Sequence, residues 1–394
     1  MRNSLIALAF MSISAGNAQT TEWKCRLSIQ DEFISFGLLR NASGEFQILN
    51  GKESVQMELK KSIGDSLEFA LSVFDASLIF PKNPGKEFSG WYRKGDAKFP
   101  GKGLRFSAQS GLKEDTKKQI TAAGITSKWP IEFLDNDKVQ DKGILVLKQE
   151  GNKLSGTIMT ETGDYRFLNG EVNGNNAYLQ TFDGGHAYYF RLKFSESGKD
   201  LSGEFLYSGS GKQVFRGKKD ESAKLSEGFA DVAAGKKISF SAKDESGRTF
   251  TQSDKEFSNR PLVIQVLGTW CPNCLDETRF LVEEYGLKNQ SVEFLGLAFE
   301  RKEEAAYAFD RIATVKRKLN VPYPIYWAGK ANKDSASKAI PAIGGVKAFP
   351  TTIFVNRKGE ILKVHSGFSG PATGEPYEHW RTEFRAMLWE ISKD

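Results

Sequence analysis

Cys271 and Cys274 stand three positions apart in Gly268-Thr269-Trp270-Cys271-Pro272-Asn273-Cys274. Two thiols at this spacing can close a small disulfide ring or open it, and so carry a pair of electrons. The stretch before them, Pro261-Leu262-Val263-Ile264-Gln265-Val266-Leu267, is apolar and bounded by turn-formers, which predicts a buried strand. After them, Leu275, Phe280 and Leu281 fall at near-helical spacing, with Glu277, Glu283 and Glu284 on the polar side. Strand, tight turn and helix would put both cysteines at a helix start. Unpaired backbone N–H groups and the positive end of the helix dipole there stabilise a thiolate at Cys271, whose pKa should fall below the usual value of about 8.5. Pro272 suits a first helical turn, which needs no N–H. Cys271 is therefore the expected exposed, attacking sulfur, and Cys274 the buried, resolving one. Half of a structural zinc site is the bland alternative. Zinc normally takes four ligands and the only other candidates are Cys25 and three scattered histidines, so no metal is expected.

Trp-Cys-x-x-Cys after a buried strand resembles the thioredoxin superfamily. The stretch Ala348-Phe349-Pro350-Thr351-Thr352-Ile353-Phe354-Val355-Asn356-Arg357-Lys358-Gly359-Glu360-Ile361 is similar to that family's cis-proline strand and following hairpin. From Cys274 to Pro350 the interval is 350 − 274 = 76 residues, longer than in ordinary thioredoxins. An inserted strand and helix there resembles the TlpA/ResA-like branch of secreted thiol–disulfide oxidoreductases, and Glu277 matches an acidic residue of that branch. The resemblance covers about residues 236–394. It implies an α/β thioredoxin-like domain, a central mixed sheet with flanking helices, carrying a redox-active disulfide between Cys271 and Cys274. It also implies a cis bond at Pro350, with the Phe349 backbone edge binding an extended substrate as an added strand. Trp270 would shield the sulfurs and form part of the docking surface.

Two positions depart from the thioredoxin pattern. Gln265 falls where thioredoxins carry a buried aspartate, and glutamine cannot take the proton of Cys274. Glu277 is the candidate replacement, a carboxyl that shuttles this proton. The other reading makes Glu277 a solvated first-turn acid that stabilises the helix end. Pro272-Asn273 also stands in place of the Gly-Pro of thioredoxin.

The rest of the chain must position this motif. Arg2, the apolar run Leu5 to Phe10 with Met11 and Ile13, and the small residues Ala15, Gly16 and Ala18 predict a cleavable secretory signal over residues 1–18. It is short for a membrane span, which takes about 20 apolar residues. An uncleaved anchor is the alternative. A chain of 394 residues with a net charge of +6 and no long basic run suggests two or three domains and no nucleic-acid partner. Cys25, in an alternating strand-like pattern, is expected to be a buried, inert thiol.

Residues 19–218 carry short alternating runs with turn signals about every ten residues, which predicts an all-β antiparallel region, barrel- or sandwich-like. A weak repeat runs through it: Phe74-Asp75 and Phe182-Asp183, Phe88-Ser89-Gly90 and Leu201-Ser202-Gly203, Asn50-Gly51 and Asn169-Gly170. Two related halves, about 19–112 and 139–218, are expected around a polar connection, together closing into one barrel-like sandwich. Trp91, Tyr92, Tyr188, Tyr189 and Phe190 read as core packing rather than a ligand cavity. His186 is unremarkable, and Asp183-Gly184-Gly185 reads as a turn only. Residues 219–235 read as a linker before the redox domain at 236–394.

These readings converge on an exported thiol–disulfide oxidoreductase, a reductant in the bacterial periplasm rather than an oxidant. It would act on protein thiols and disulfides, without a cofactor, and be recharged by a membrane-linked electron donor. A thiol peroxidase of the same superfamily is one alternative. A ligand- or partner-binding protein with a non-enzymatic redox-fold scaffold is another.

Overall fold

The computed structural model describes residues 20–51, 53–71, 73–95, 103–111, 124–207, 210–225, 229–230, 235–287 and 292–393. The expected signal at 1–18 lies outside the described residues. Among those described, no helix is long and apolar enough to cross a membrane.

Strict alternation builds the first unit. In Thr21–Ile29 the residues Trp23, Cys25, Leu27 and Ile29 are buried while Lys24 and Arg26 face out. This strand pairs antiparallel with Glu32–Arg40 on one side and Leu104–Ser110 on the other, so the strands between residues 21 and 110 close into a barrel. The interior is filled by aromatic rings, with Phe69 stacked on Phe80 at 4.8 Å between centroids. Cys25 lies among them as a free, buried thiol, and burial pushes its pKa far up.

A second ring follows. Ser127–Asp135 pairs with both Lys138–Glu150 and Gly211–Lys218, and Lys138–Glu150 also pairs with Lys153–Thr160, which closes this sheet too. A two-residue strand, Gly163–Asp164, hangs on the end of Lys153–Thr160. Each half thus closes on itself, and the single joint sandwich expected from sequence is not formed. The second half also begins earlier than residue 139. Ser127–Asp135 is a full strand whose Trp129, Ile131 and Phe133 are buried, and the intervening Lys128, Pro130 and Glu132 made it resemble a polar connection.

The repeat has a physical basis. Gly90 and Gly203 occupy corresponding strands, Glu87–Lys94 and Asp200–Tyr207. A Cβ on Gly90 would lie 2.4 Å from the Phe106 ring, and one on Gly203 would lie 2.3 Å from the Phe215 ring. In each barrel a phenylalanine of the next strand lies across the glycine, so no side chain fits there. Phe74-Asp75 lies in the turn before Ala76–Pro81, whereas Phe182 ends the strand Asn176–Phe182 and Asp183 opens the corresponding turn. Asn50-Gly51 and Asn169-Gly170 do not match: the first pair is at a turn, with Gly51 at φ +58°, while the second lies inside the strand Leu168–Asn173.

The third unit is the α/β layer. Its sheet centres on Leu262–Leu267, buried at every position, parallel to Glu293–Glu300 and antiparallel to Thr351–Val355. Ile325–Lys330 extends it beyond Glu293–Glu300, and Ile361–Ser366 beyond Thr351–Val355. Helices Pro272–Leu287, Ala305–Leu319, Lys333–Ala339 and Glu375–Ser392 flank the sheet. Ile325–Lys330 and Lys333–Ala339 supply the strand and helix between Cys274 and Pro350. The stretch expected to be a plain linker contributes Phe229–Ala230, which pairs with the edge strand Ile361–Ser366. The hairpin expected from Ile238 has shorter strands, Ser241–Lys243 and Thr249–Thr251.

Candidate active site

The central strand delivers the chain to Gly268, where a Cβ would lie 2.3 Å from the Trp270 indole nitrogen. Without one, Trp270 folds back and donates Nε1–H to the Phe299 carbonyl at 2.9 Å. Its ring meets Phe349 edge-on at 5.7 Å, and the Arg301 guanidinium lies 5.3 Å over it. The helix starts at Pro272, so Cys271 stands at its entrance and Cys274 in its first turn. The Cys274 N–H points at Cys271 Sγ, 3.3 Å away, and Cys271 Sγ lies 3.5 Å from the Phe349 carbonyl oxygen. The Phe349–Pro350 peptide is cis. Trp270, Cys271, Cys274, Phe349 and Pro350 therefore meet at one place.

Cys274 is fully buried, and its pKa is driven well above the ordinary thiol value by burial and then by Cys271. Cys271 differs from expectation. It is only 7% exposed rather than open to solvent. It sits in a cluster with Trp270 and Phe349, and the second barrel packs on the two residues between the cysteines. A Cβ on Gly163 would lie 1.9 Å from Asn273 Nδ2, and one on Gly185 would lie 2.9 Å from Pro272 Cγ. The turn Asp183-Gly184-Gly185 is thus part of the wall of the site. Tyr188 sits close enough for Cys271 to be among the groups that raise its phenol pKa, after burial and three other neighbours.

Glu277 is buried rather than solvated. Its Oε1 accepts from the Thr352 hydroxyl at 2.7 Å, and its Oε2 from Gln265 Nε2 at 2.9 Å. Gln265 also donates to the Cys274 carbonyl at 3.1 Å, and Thr278 donates to Gln265 Oε1 at 3.0 Å. Burial raises the Glu277 pKa to about 7, against the opposing pull of the Thr352 and Gln265 hydrogen bonds. Its charge in turn helps hold the Cys274 thiol protonated.

Sequence reasoning passed over Thr269 and Glu300. The backbone N–H and hydroxyl of Thr269 donate to the two oxygens of buried Glu300 at 2.9 and 2.8 Å, which pins the turn before Trp270. An acid closing the apolar run Phe294 to Phe299 was the available signal. Gly163, Gly185 and Tyr188 gave none, because their part depends on contact between distant units.

Comparisons with known proteins point to the same region. The Redoxin family profile matches residues 233–377. A thiol-disulfide oxidoreductase ResA from Halalkalibacterium halodurans is 31% identical over 115 residues, which is 29% of this chain and 57% of that protein. The chain thus spans a little over half the length of this relative. Solved structures that resemble it include a thioredoxin-family thiol:disulfide interchange protein from Chlorobium tepidum (19% identity, 38% of this chain and 98% of that one, TM-score 0.28). Another is a thiol-disulfide oxidoreductase from Bacteroides fragilis (22% identity, 37% and 96%, TM-score 0.27). The Redoxin match falls on the C-terminal α/β layer, the part that resembles the thioredoxin superfamily.

Proposed function

We propose that this protein is an exported thiol–disulfide oxidoreductase that exchanges disulfides with protein partners through Cys271 and Cys274. The observation that carries the reading is the meeting of Cys271 at a helix start with Cys274 one turn on and the Phe349–Pro350 edge alongside. In the reducing direction, the Cys271 thiolate attacks one sulfur of a target disulfide. A Cys271–target S–S bond forms and the other target sulfur leaves as a thiolate. Cys274 then loses its proton to Glu277 and attacks Cys271 Sγ. The internal disulfide forms, the second target thiolate leaves, and two electrons have passed to the target.

Trp270 and Phe349 flank the attacking sulfur and form the docking surface for an extended segment. Recharging requires a dithiol donor, which in a periplasmic setting would be linked to the membrane. Insulin-disulfide reduction tests the reading: the parent reduces insulin and Cys271→Ser loses the activity. Equal activity in parent and variant would remove Cys271 from the chemistry.

A further inference from the structure

Two loops of the second barrel lie where a disulfide partner would have to approach. On the helix side, Gly163 and Gly185 press against Asn273 and Pro272. On the other side, the chain after Ile361–Ser366 runs beside the proline edge, with the Gly367 N–H donating to the Pro350 carbonyl at 2.8 Å. A Cβ on Gly367 would lie 2.8 Å from the Glu161 carbonyl oxygen. Three residues on, the Gly370 N–H donates to Asp164 Oδ2 at 2.6 Å. The 161–166 loop is thus wedged between the start of the cysteine-bearing helix and the segment that lines Pro350.

What holds this wedge is ionic. Arg166, itself buried, pairs with Glu53 of the first barrel, with Asp183 Oδ2 of its own barrel at 3.0 Å, and with Asp276 Oδ2 of the active-site helix at 3.3 Å. One cation therefore joins all three units, and it faces three carboxylates. Lys94 of the first barrel adds a bond to the Gly185 carbonyl at 2.6 Å. Leu275 and Val315 of the redox domain share a buried cluster with the first barrel and with Phe182, Ala187, Tyr189 and Leu206 of the second, whereas among the described residues the other core of the second barrel contains no redox-domain residue. At Pro272 and Asn273 the second barrel presents Gly185 and Gly163, and at Asp276 the charge of Arg166.

We propose that the 161–166 and 183–186 loops are a lid on the redox site, latched by Arg166, which keeps protein-sized partners from Cys271 until it opens. This rests on the assignment of Cys271 as the attacking sulfur and adds selection by size to it. Removing the guanidinium takes away the one cation that Glu53, Asp183 and Asp276 share; the contacts that remain, His186 with Asp183 and Arg279 with Asp276, each lie within a single unit, which favours separation of the units.

The test compares two maleimides on the reduced full chain, one small (N-ethylmaleimide) and one carrying a protein-sized polyethylene glycol chain, with Cys271 labelling followed by peptide mapping. In the parent, the small reagent labels Cys271 and the large one lags far behind. In Arg166→Gln, checked for folding by circular dichroism, the large reagent speeds up by at least about tenfold while the small one changes little, as expected for loss of one partner from a buried charge cluster. Glu53→Gln, on the rim of the first barrel, shifts the ratio in the same direction by less and serves if Arg166→Gln does not fold. Equal large-reagent rates in parent and folded variants would overturn the lid, even if insulin is reduced by all of them. Faster large-reagent labelling without insulin reduction by any form would keep the lid and sink the redox function.

Discussion

A carboxyl with a pKa of about 7 beneath a buried thiol changes charge in the range where thiol exchange proceeds. In the exchange we propose, Glu277 accepts the Cys274 proton and returns it, which a carboxylate of ordinary acidity would do poorly. Glu277→Gln should slow resolution of the mixed disulfide by about 100-fold and flatten its rise between pH 6 and 8, followed by quenched-flow trapping. Stability supplies a second readout. The folded pKa lies above the ordinary 4.5, so the folded protein holds this proton more tightly than the unfolded chain. The contribution is full below the lower value and is lost as pH rises through the higher one, by at most about 3 kcal/mol. Glu277→Gln should thus gain stability over the parent in urea titrations at pH 8 relative to pH 5. Sequence alone brought Glu277 forward but left two roles open. Burial removes the solvated reading, and Glu277 is held there by a network of Gln265, Thr278 and Thr352, which come from a strand, the helix and a second strand.

At the scale of elements, the active-site helix is held from behind by the C-terminal helix. Phe384 is fully buried, with its ring 4.9 Å from Phe280 on the active-site helix and 5.4 Å from Phe354 on the sheet. Phe384→Ala should cost about 3–5 kcal/mol in the unfolding of the redox domain, read from the shift of its urea midpoint. Much at this scale was legible. The run 262–267, apolar but for Gln265, read as a buried strand, and Trp380, Phe384 and Ile391 marked the buried face of the last helix. Shifts occurred where polar residues interrupt a pattern. Ser127–Asp135 alternates from Ser127 to Phe133, but its outward residues disguised it. The strand expected from Tyr323 starts two residues later, at Ile325, and runs on to Lys330.

Taken whole, the molecule is two closed antiparallel barrels and an α/β layer, and the cysteines lie where all three come together. The repeat was within reach of the sequence, because Gly90 and Gly203 mark where neighbouring rings lie across a strand, but closure of each half on itself was not, and a joint sandwich was expected instead. Nor was the way the barrels dock, since no local pattern records that Arg166 reaches Glu53 and Asp276. Matching turns in the two barrels both face the redox domain. The Val73 carbonyl accepts from Arg311 at 2.6 Å, and the Asp183 turn lies over Pro272. The repeat is thus a docking device as well as a fold. The central claim is that Cys271 is the sulfur that attacks. It is tested most directly by exposing reduced Cys274→Ser to a target disulfide and mapping the resulting adduct by mass spectrometry. A stable mixed disulfide on the Cys271 peptide is expected, and an adduct on Cys25, or none at all, would contradict the account.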